Sequence, residues 1–280
     1  MQYKTILLHA DNARGAAARL ELAAQLAEQQ QAHLVCAAMT GISRFVYRGK
    51  DGLARDVIRP DLAERARQGA QLTLDRHAAL AERLGVQSCE QRLVDDDAYG
   101  GLTLQSRYAD LLVVGQADRD DPATGALLQD LPEHVILNSC RPVLVVPFAG
   151  AFQPAGKPVL VAWDGSVQAT RAITGALPLL VKAAGVTVAL FDATSGADEH
   201  GDEPGADIAL YLARHGVHVN VVRQTTDGDV GEAMLALADS LGAGLLVMGA
   251  YGHARYQEIL LGGATRTVLN TMTTPVLLAH

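Results

Sequence analysis

Short runs of consecutive apolar residues alternate along the chain with longer stretches whose apolar positions recur at helical spacing. This pattern predicts strands buried on both faces, joined by helices. In the first half, strands are expected over 3–9, 33–39, 86–94, 111–114 and 142–146. Helices are expected from 12 to about 31, over 60–84 and 98–108, and near 131–138. Asp11 or Asn12 is the expected cap of the first helix, and Gly85 the stop of the long one. In the second half, strands are expected up to Trp163 and over 186–191, 217–223, 245–248 and 275–278, with helices over 166–184, up to His215, over 230–241 and onward from 264. Alternating β and α with right-handed crossovers gives a doubly wound parallel sheet.

The halves repeat each other. KTILLHAD at Lys4 to Asp11 returns as KPVLVAWD at Lys157 to Asp164, DLLVVG at Asp110 to Gly115 as GLLVMG at Gly244 to Gly249, and RPVLVVP at Arg141 to Pro147 as TPVLLAH at Thr274 to His280. Between them, PFAGAFQPAGKP is rich in Pro, Gly and Ala without periodicity, as a linker is. Two α/β domains are therefore expected, 1–150 and 151–280.

Composition narrows the function. A 280-residue chain that is 49% apolar and 4% aromatic can bury two cores without disulfide or metal. The formal charge of −8 argues against sequence-independent nucleic-acid binding, which needs a basic face. The three cysteines, Cys36, Cys89 and Cys140, are widely spaced among apolar neighbours and read as buried free thiols. No apolar run suits a signal peptide or a membrane span, so a cytoplasmic protein is expected.

The stretch LLVMGAYGHARYQEILLGGAT, Leu245 to Thr265, carries the candidate chemistry. A strand closed by Gly249, a second glycine at Gly252, nine residues, then Gly262 and Gly263 before a helix is a backbone suited to an anion. The first amides of a helix lack intrahelical partners and carry partial positive charge, and glycine lets a ligand approach them. No GK[ST] follows, so this is no Walker loop, and the spacing is wrong for GxGxxG. The arrangement resembles the universal stress protein family, whose nucleotide-binding members carry Gly, two residues, Gly, nine residues, Gly and then Ser or Thr. Gly263 stands where the family more often has the hydroxyl. The resemblance covers nearly the whole chain and implies two tandem domains of the adenine nucleotide alpha hydrolase-like fold.

It also implies a site. Asp164 would hold the nucleotide near base and ribose, Ala162 and Leu190 would contact the adenine side, and Gly249, Gly252, Gly262, Gly263 and Thr265, with Met248 and Ala264 beside them, would surround ribose and phosphates; His253, next to Gly252, reads either as a donor to phosphate or as a solvated loop histidine. ATP is the implied ligand, with Mg or Mn as the metal that would accompany it. From the residues alone, Asp164 reads as a helix cap in a DGS turn, a role that needs only one of its oxygens. The first half lacks the glycines: Asp118 stands where the second would be, and Asp130 and Leu131 where the pair would be. Carboxylates there would repel phosphate, so no ATP is expected in the first domain.

Other clusters read blandly. Asp198, Glu199, His200, Asp202 and Glu203 form a solvated acidic loop rather than a metal site. Arg44 to Lys50 suits a lid or contact surface better than a single-strand binder, and Asp95, Asp96 and Asp97 read as a helix-start cluster. The leading expectation is a regulatory stress-response protein that binds ATP in its second domain and uses its first for structure or partner contact. The rivals are a slow ATPase or phosphoryl or nucleotidyl transferase in the same pocket, and a ligand-free scaffold. The apolar strands at 142–146 and 275–278 are edge candidates; the resemblance implies that they pair the two domains as a pseudo-dimer, with a homodimer as a further option.

Overall fold

The computed structural model describes residues 2–47, 60–122, 128–153, 156–192, 203–252 and 263–280. The chain divides into two compact units, Gln2–Arg141 and Pro142–His280. The first contains β1 (Thr5–His9), α1 (Ala16–Gln30), β2 (His33–Met39), the short α2 (Arg44–Tyr47), α3 (Pro60–Arg83), β3 (Cys89–Val94), α4 (Ala98–Gln105), β4 (Leu111–Gly115) and α5 (Leu131–Asn138). Its strands lie in the order β3-β2-β1-β4, all parallel.

The second unit contains β5 (Val143–Val146), β6 (Val159–Ala162), α6 (Val167–Leu180), β7 (Val186–Phe191), α7 (Ala206–Arg214), β8 (Val219–Gln224), α8 (Val230–Ser240), β9 (Leu245–Gly249), α9 (Ala264–Thr271) and β10 (Val276–Ala279). Its order is β5-β10-β9-β6-β7-β8, parallel except for β5, which runs antiparallel to β10 through Val143↔Leu278, Leu144↔Leu277 and Val145↔Val276. The two apolar runs expected as edges thus pair with each other, which is why β5 packs with the second unit. Among the described residues, no helix is long and apolar enough to cross a membrane.

The central strands are buried on both faces, as their unbroken apolar runs require: Ile6, Leu8, Val113, Leu160, Val161, Leu246 and Val247 are fully enclosed. The outer strands β3 and β8 carry only exposed and half-buried positions, β3 with its first three residues exposed and its last three half-buried. That exposure corrects the reading of the thiols. All three are free, but only Cys36 is buried, whereas Cys89 at the start of β3 and Cys140 beyond α5 are exposed.

The start of α1 differs from expectation too. Neither Asp11 nor Asn12 caps it; Gly15 does, with no side-chain bond. Asp11 Oδ1 accepts instead from the Ala13 amide at 2.9 Å and from Arg19 Nη2 at 2.5 Å. Arg19, on the buried face of α1, is 1% exposed, and a guanidinium enclosed so deeply needs a carboxylate beside it. Burial is the largest single influence on Asp11 and opposes its ionisation, but Arg19, His9 and the Ala13 amide together outweigh it and hold its pKa down to about 2. His9, 4% exposed, has Nδ1 3.3 Å from Asp11 Oδ2. Burial dominates there and lowers the imidazole pKa to about 4 against the pull of Asp11.

Both shifts give stability the same sign. Between pH ~6.5 and ~4 the unfolded chain protonates His9 while the fold keeps it neutral, so stability falls as pH drops through that window. Asp11 continues the loss from pH ~4 down to ~2, since there too the unfolded state binds the extra proton. The loss attached to His9 is on the order of 3 kcal/mol. Amide-exchange protection of β1, corrected for intrinsic rates, is expected to fall from pH 6.5 to 4 in the native chain and to stay flatter in His9→Gln.

Candidate functional site

In the second unit the chain leaves β6 toward β7 and β8 on one side, then returns to lay β9 and β10 on the other. The strand order therefore reverses between β6 and β9, and in an open parallel sheet the crevice at such a point is where ligands bind. The register sets Ala162 level with Ala189, and Val161 level with Val247, so the carboxyl ends of β6, β7 and β9 lie side by side. Ala162, Leu190 and Met248 are buried there. Leu190 is packed under Gly205, whose added Cβ would lie 2.8 Å from Leu190 Cδ1. It therefore forms a wall of the core.

Asp164 follows β6 and is exposed. Its Oδ1 accepts from the Ser166 amide at 3.0 Å across Gly165, whose φ of +79° suits glycine. Ser166, rather than Asp164, caps α6, its Oγ accepting from Ala169 N at 3.1 Å. One carboxylate oxygen of Asp164 thus ties the turn, and Oδ2 lies on the side of Gly252. A Cβ at 252 would sit 3.3 Å from Ser166 Oγ and 3.6 Å from Asp164 Oδ2, so a larger side chain there would crowd that oxygen.

Gly249 has a different reason. A Cβ on it would lie 2.5 Å from Ala169 N and 2.9 Å from the Gln168 carbonyl carbon, so its absence lets the first turn of α6 rest on the end of β9. Beyond it, Ala250 N donates to Ala279 O at 2.9 Å, and Tyr251, at φ 57°, donates its amide to Thr265 Oγ1 at 3.3 Å. Thr265 is 2% exposed and braces the loop to α9. Gly263 is the N-cap of α9 and offers no side-chain bond. The amides of Ala264 and Thr265 open that helix, where no intrahelical acceptor can reach them. His253 and Gly262 lie outside the described residues.

Three residues that carry no signal of their own in the sequence hold α9 in place. Asp229 caps α8 through Glu232 N at 3.0 Å, and its other oxygen accepts from Thr267 Oγ1 on α9 at 3.0 Å. Gly231 lets the helices touch, for a Cβ there would stand 2.7 Å from Ala264 O. A D-x-G at a helix start reads only as a cap until its partner helix is known.

In the first unit, the side of the matching place that corresponds to the glycine loop is filled with protein. A Cβ on Gly115 would collide with the Arg19 guanidinium. In the loop that follows, Asp118 and Asp121 are buried. Asp121 Oδ2 accepts from Arg14 N at 2.6 Å, and Asp118 Oδ2 lies 3.4 Å from Arg14 Nη1. Asp130 is the N-cap of α5. Of the two carboxylates expected to repel phosphate, Asp118 thus lies against an arginine of the chain itself, together with Asp121, while Asp130 begins a helix.

The other clusters resolve simply. Asp97 caps α4 through Gly100 N at 2.8 Å, Asp96 lies 2.7 Å from Arg44 Nε, and Asp95 pairs with Arg67 at 2.6 Å. Of the acidic loop, only Glu203 is among the described residues, where it pairs with Arg223 at 2.9 Å. Arg48, Gly49 and Lys50 lie outside them. No group of three His, Cys, Asp or Glu that could hold a metal occurs among the described residues.

The model of the universal stress protein family matches residues 2–147 and again 156–280. Among solved structures, a universal stress protein from Archaeoglobus fulgidus is 18% identical with a TM-score of 0.72, over 98% of this chain and 95% of that one. A proposed universal stress protein from Pseudomonas aeruginosa is 19% identical with a TM-score of 0.58, over 98% and 92%. At those identities they speak for the fold. No curated protein matches the chain.

Gly249→Ala is expected to destabilise the second unit by roughly 1–3 kcal/mol, since its Cβ meets backbone that can yield only by moving α6. Chemical denaturation followed through Trp163, the chain's one tryptophan, measures this directly.

Proposed function

Since the chain belongs to the universal stress protein family, with the family's domain present twice, we propose that its second unit binds an adenine nucleotide and that occupancy is the signal it passes on. The observation that carries this reading is the uncapped start of α9 at Gly263, beside the crevice between β6 and β9. Backbone amides at a helix start bind phosphate without a dedicated side chain, and glycine leaves them accessible. Asp164 Oδ2, on the side of Gly252, supplies an acceptor suited to a ribose hydroxyl. ATP is the form we favour. Mg or Mn would travel with its phosphates and neutralise their charge; Asp164, Ala264 and Thr265 act on the nucleoside and the phosphate oxygens.

The first unit then serves structure or partner contact, and Arg19, Asp118 and Asp121 support its exclusion from nucleotide binding. A ligand that binds one conformation better than another shifts the population toward it, so ATP could change what a partner protein meets. Nothing in this role requires turnover.

Isothermal titration of the intact chain with ATP is expected to give one site per chain. Asp164→Ala should weaken it by about tenfold, the loss of one charge-assisted hydrogen bond. Gly252→Val should weaken it at least as much by crowding Asp164 Oδ2. Two sites per chain, or affinity unchanged in both variants, would overturn the assignment.

A further inference from the structure

The first unit holds a cavity of about 700 Å³ that the nucleotide reading leaves unused. It opens at the carboxyl ends of β1 and β2 and lies within the size range of small-molecule sites. Its origin is legible in α3. Ala66, Gly69, Ala70 and Thr73 fall at i, i+3, i+4 and i+7, so one stripe of the helix faces the strand ends with side chains too short to fill the space. An added Cβ on Gly69 would meet nothing within 4 Å.

The polar groups around this space share one character. His9 lines it, buried and neutral, with Nδ1 beside Asp11. A carboxylate there favours the proton on Nδ1, which leaves Nε2 as a lone-pair acceptor. It has no hydrogen-bond partner among the described residues. Asp11 and Asp97 also line the cavity, and none of the described lining residues is a lysine or arginine. Arg19 answers Asp11, whereas the Asp97 carboxylate accepts, among the described residues, from the Gly100 amide at the start of α4 and pairs with no cation. Tyr99 stands at the same wall, its ring nearly perpendicular to that of His134 at 4.9 Å between centroids. Burial, then the charges of Asp130, Asp97 and Glu133, push its phenol pKa upward, which marks a negative potential at that wall.

We propose that this cavity is a binding site for a small organic cation, an amine or a guanidine. Asp97 answers the charge, the Tyr99 ring offers a π-face to it, and His9 Nε2 accepts a hydrogen bond from the donor end. A polyphosphate is repelled by the same groups. The site is separate from the nucleotide crevice of the second unit and does not depend on it.

Titration of the intact chain with agmatine, which carries both an amine and a guanidine, tests this, with putrescine, adenosine and ATP as further arms. Agmatine should bind, less tightly as salt rises. Stronger binding of putrescine would name the amine as the preferred group, weaker binding the guanidine. Gly69→Leu should abolish agmatine binding while preserving or raising the melting temperature, because it fills open space and replaces a helical glycine. ATP binding should be untouched by it. Asp97→Asn keeps a good helix cap and removes the charge, so it should cost agmatine about tenfold in affinity. Agmatine that fails to bind, binds equally to both variants, or yields to adenosine or ATP in a Gly69-dependent manner overturns the proposal.

Discussion

The arrangement depends on one close approach: helix N-termini brought against the carboxyl ends of parallel strands. In the second unit that approach is made at Gly249, where the first turn of α6 lies so near β9 that no Cβ fits. With α6 seated there, Ser166 and Asp164 are fixed over the strand ends, and the chain leaving β9 can reach Thr265. α9 is held from the far side by Asp229 and Gly231 on α8. Two helix starts thus flank one crevice, each built from short-range contacts, and the direction of their amides follows from the sheet.

The two units solve the same packing problem with different chemistry. Where the second has glycine and bare amides, the first has a buried arginine. Arg19 occupies the space beneath Gly115 and needs Asp11 beside it, while burial, with a smaller push from Arg19, keeps His9 uncharged against the pull of Asp11. The loop after β4 closes with carboxylates held by Arg14. The first unit holds an internal ion-pair network there, and its open space lies under the small-residue face of α3. A single fold, used twice, thus lines its strand ends with glycine in one unit and with carboxylates in the other.

Much of the architecture was legible because unbroken apolar runs bounded by glycine have few readings besides buried parallel strands. The repeated phrases at Lys4 and Lys157 made the duplication visible, and the glycine spacing after Leu245 located the crevice. Arg19 was not legible: an arginine in an Ala-rich helix reads as solvated until the carboxylate that meets it is known. Asp11 reads as a cap for the same reason, since a cap and a partner for a buried cation look alike in one dimension. Cys89 and Cys140 read as buried from their neighbours, but the first half of β3 is exposed throughout and Cys140 beyond α5 is exposed too. Thr265 was placed by resemblance at the ligand; its hydroxyl accepts the Tyr251 amide, a contact that only the fold of the loop creates.

The central claim is that backbone amides at the start of α9 meet the phosphates. Amide chemical shifts of the intact chain, recorded as ATP is added, address it most directly. The account predicts saturable shifts at Ala264 and Thr265, with the amides around Gln116 and Leu131 of the first unit unmoved. ATP that binds without moving Ala264 and Thr265, or that moves the first unit's loop instead, would contradict it.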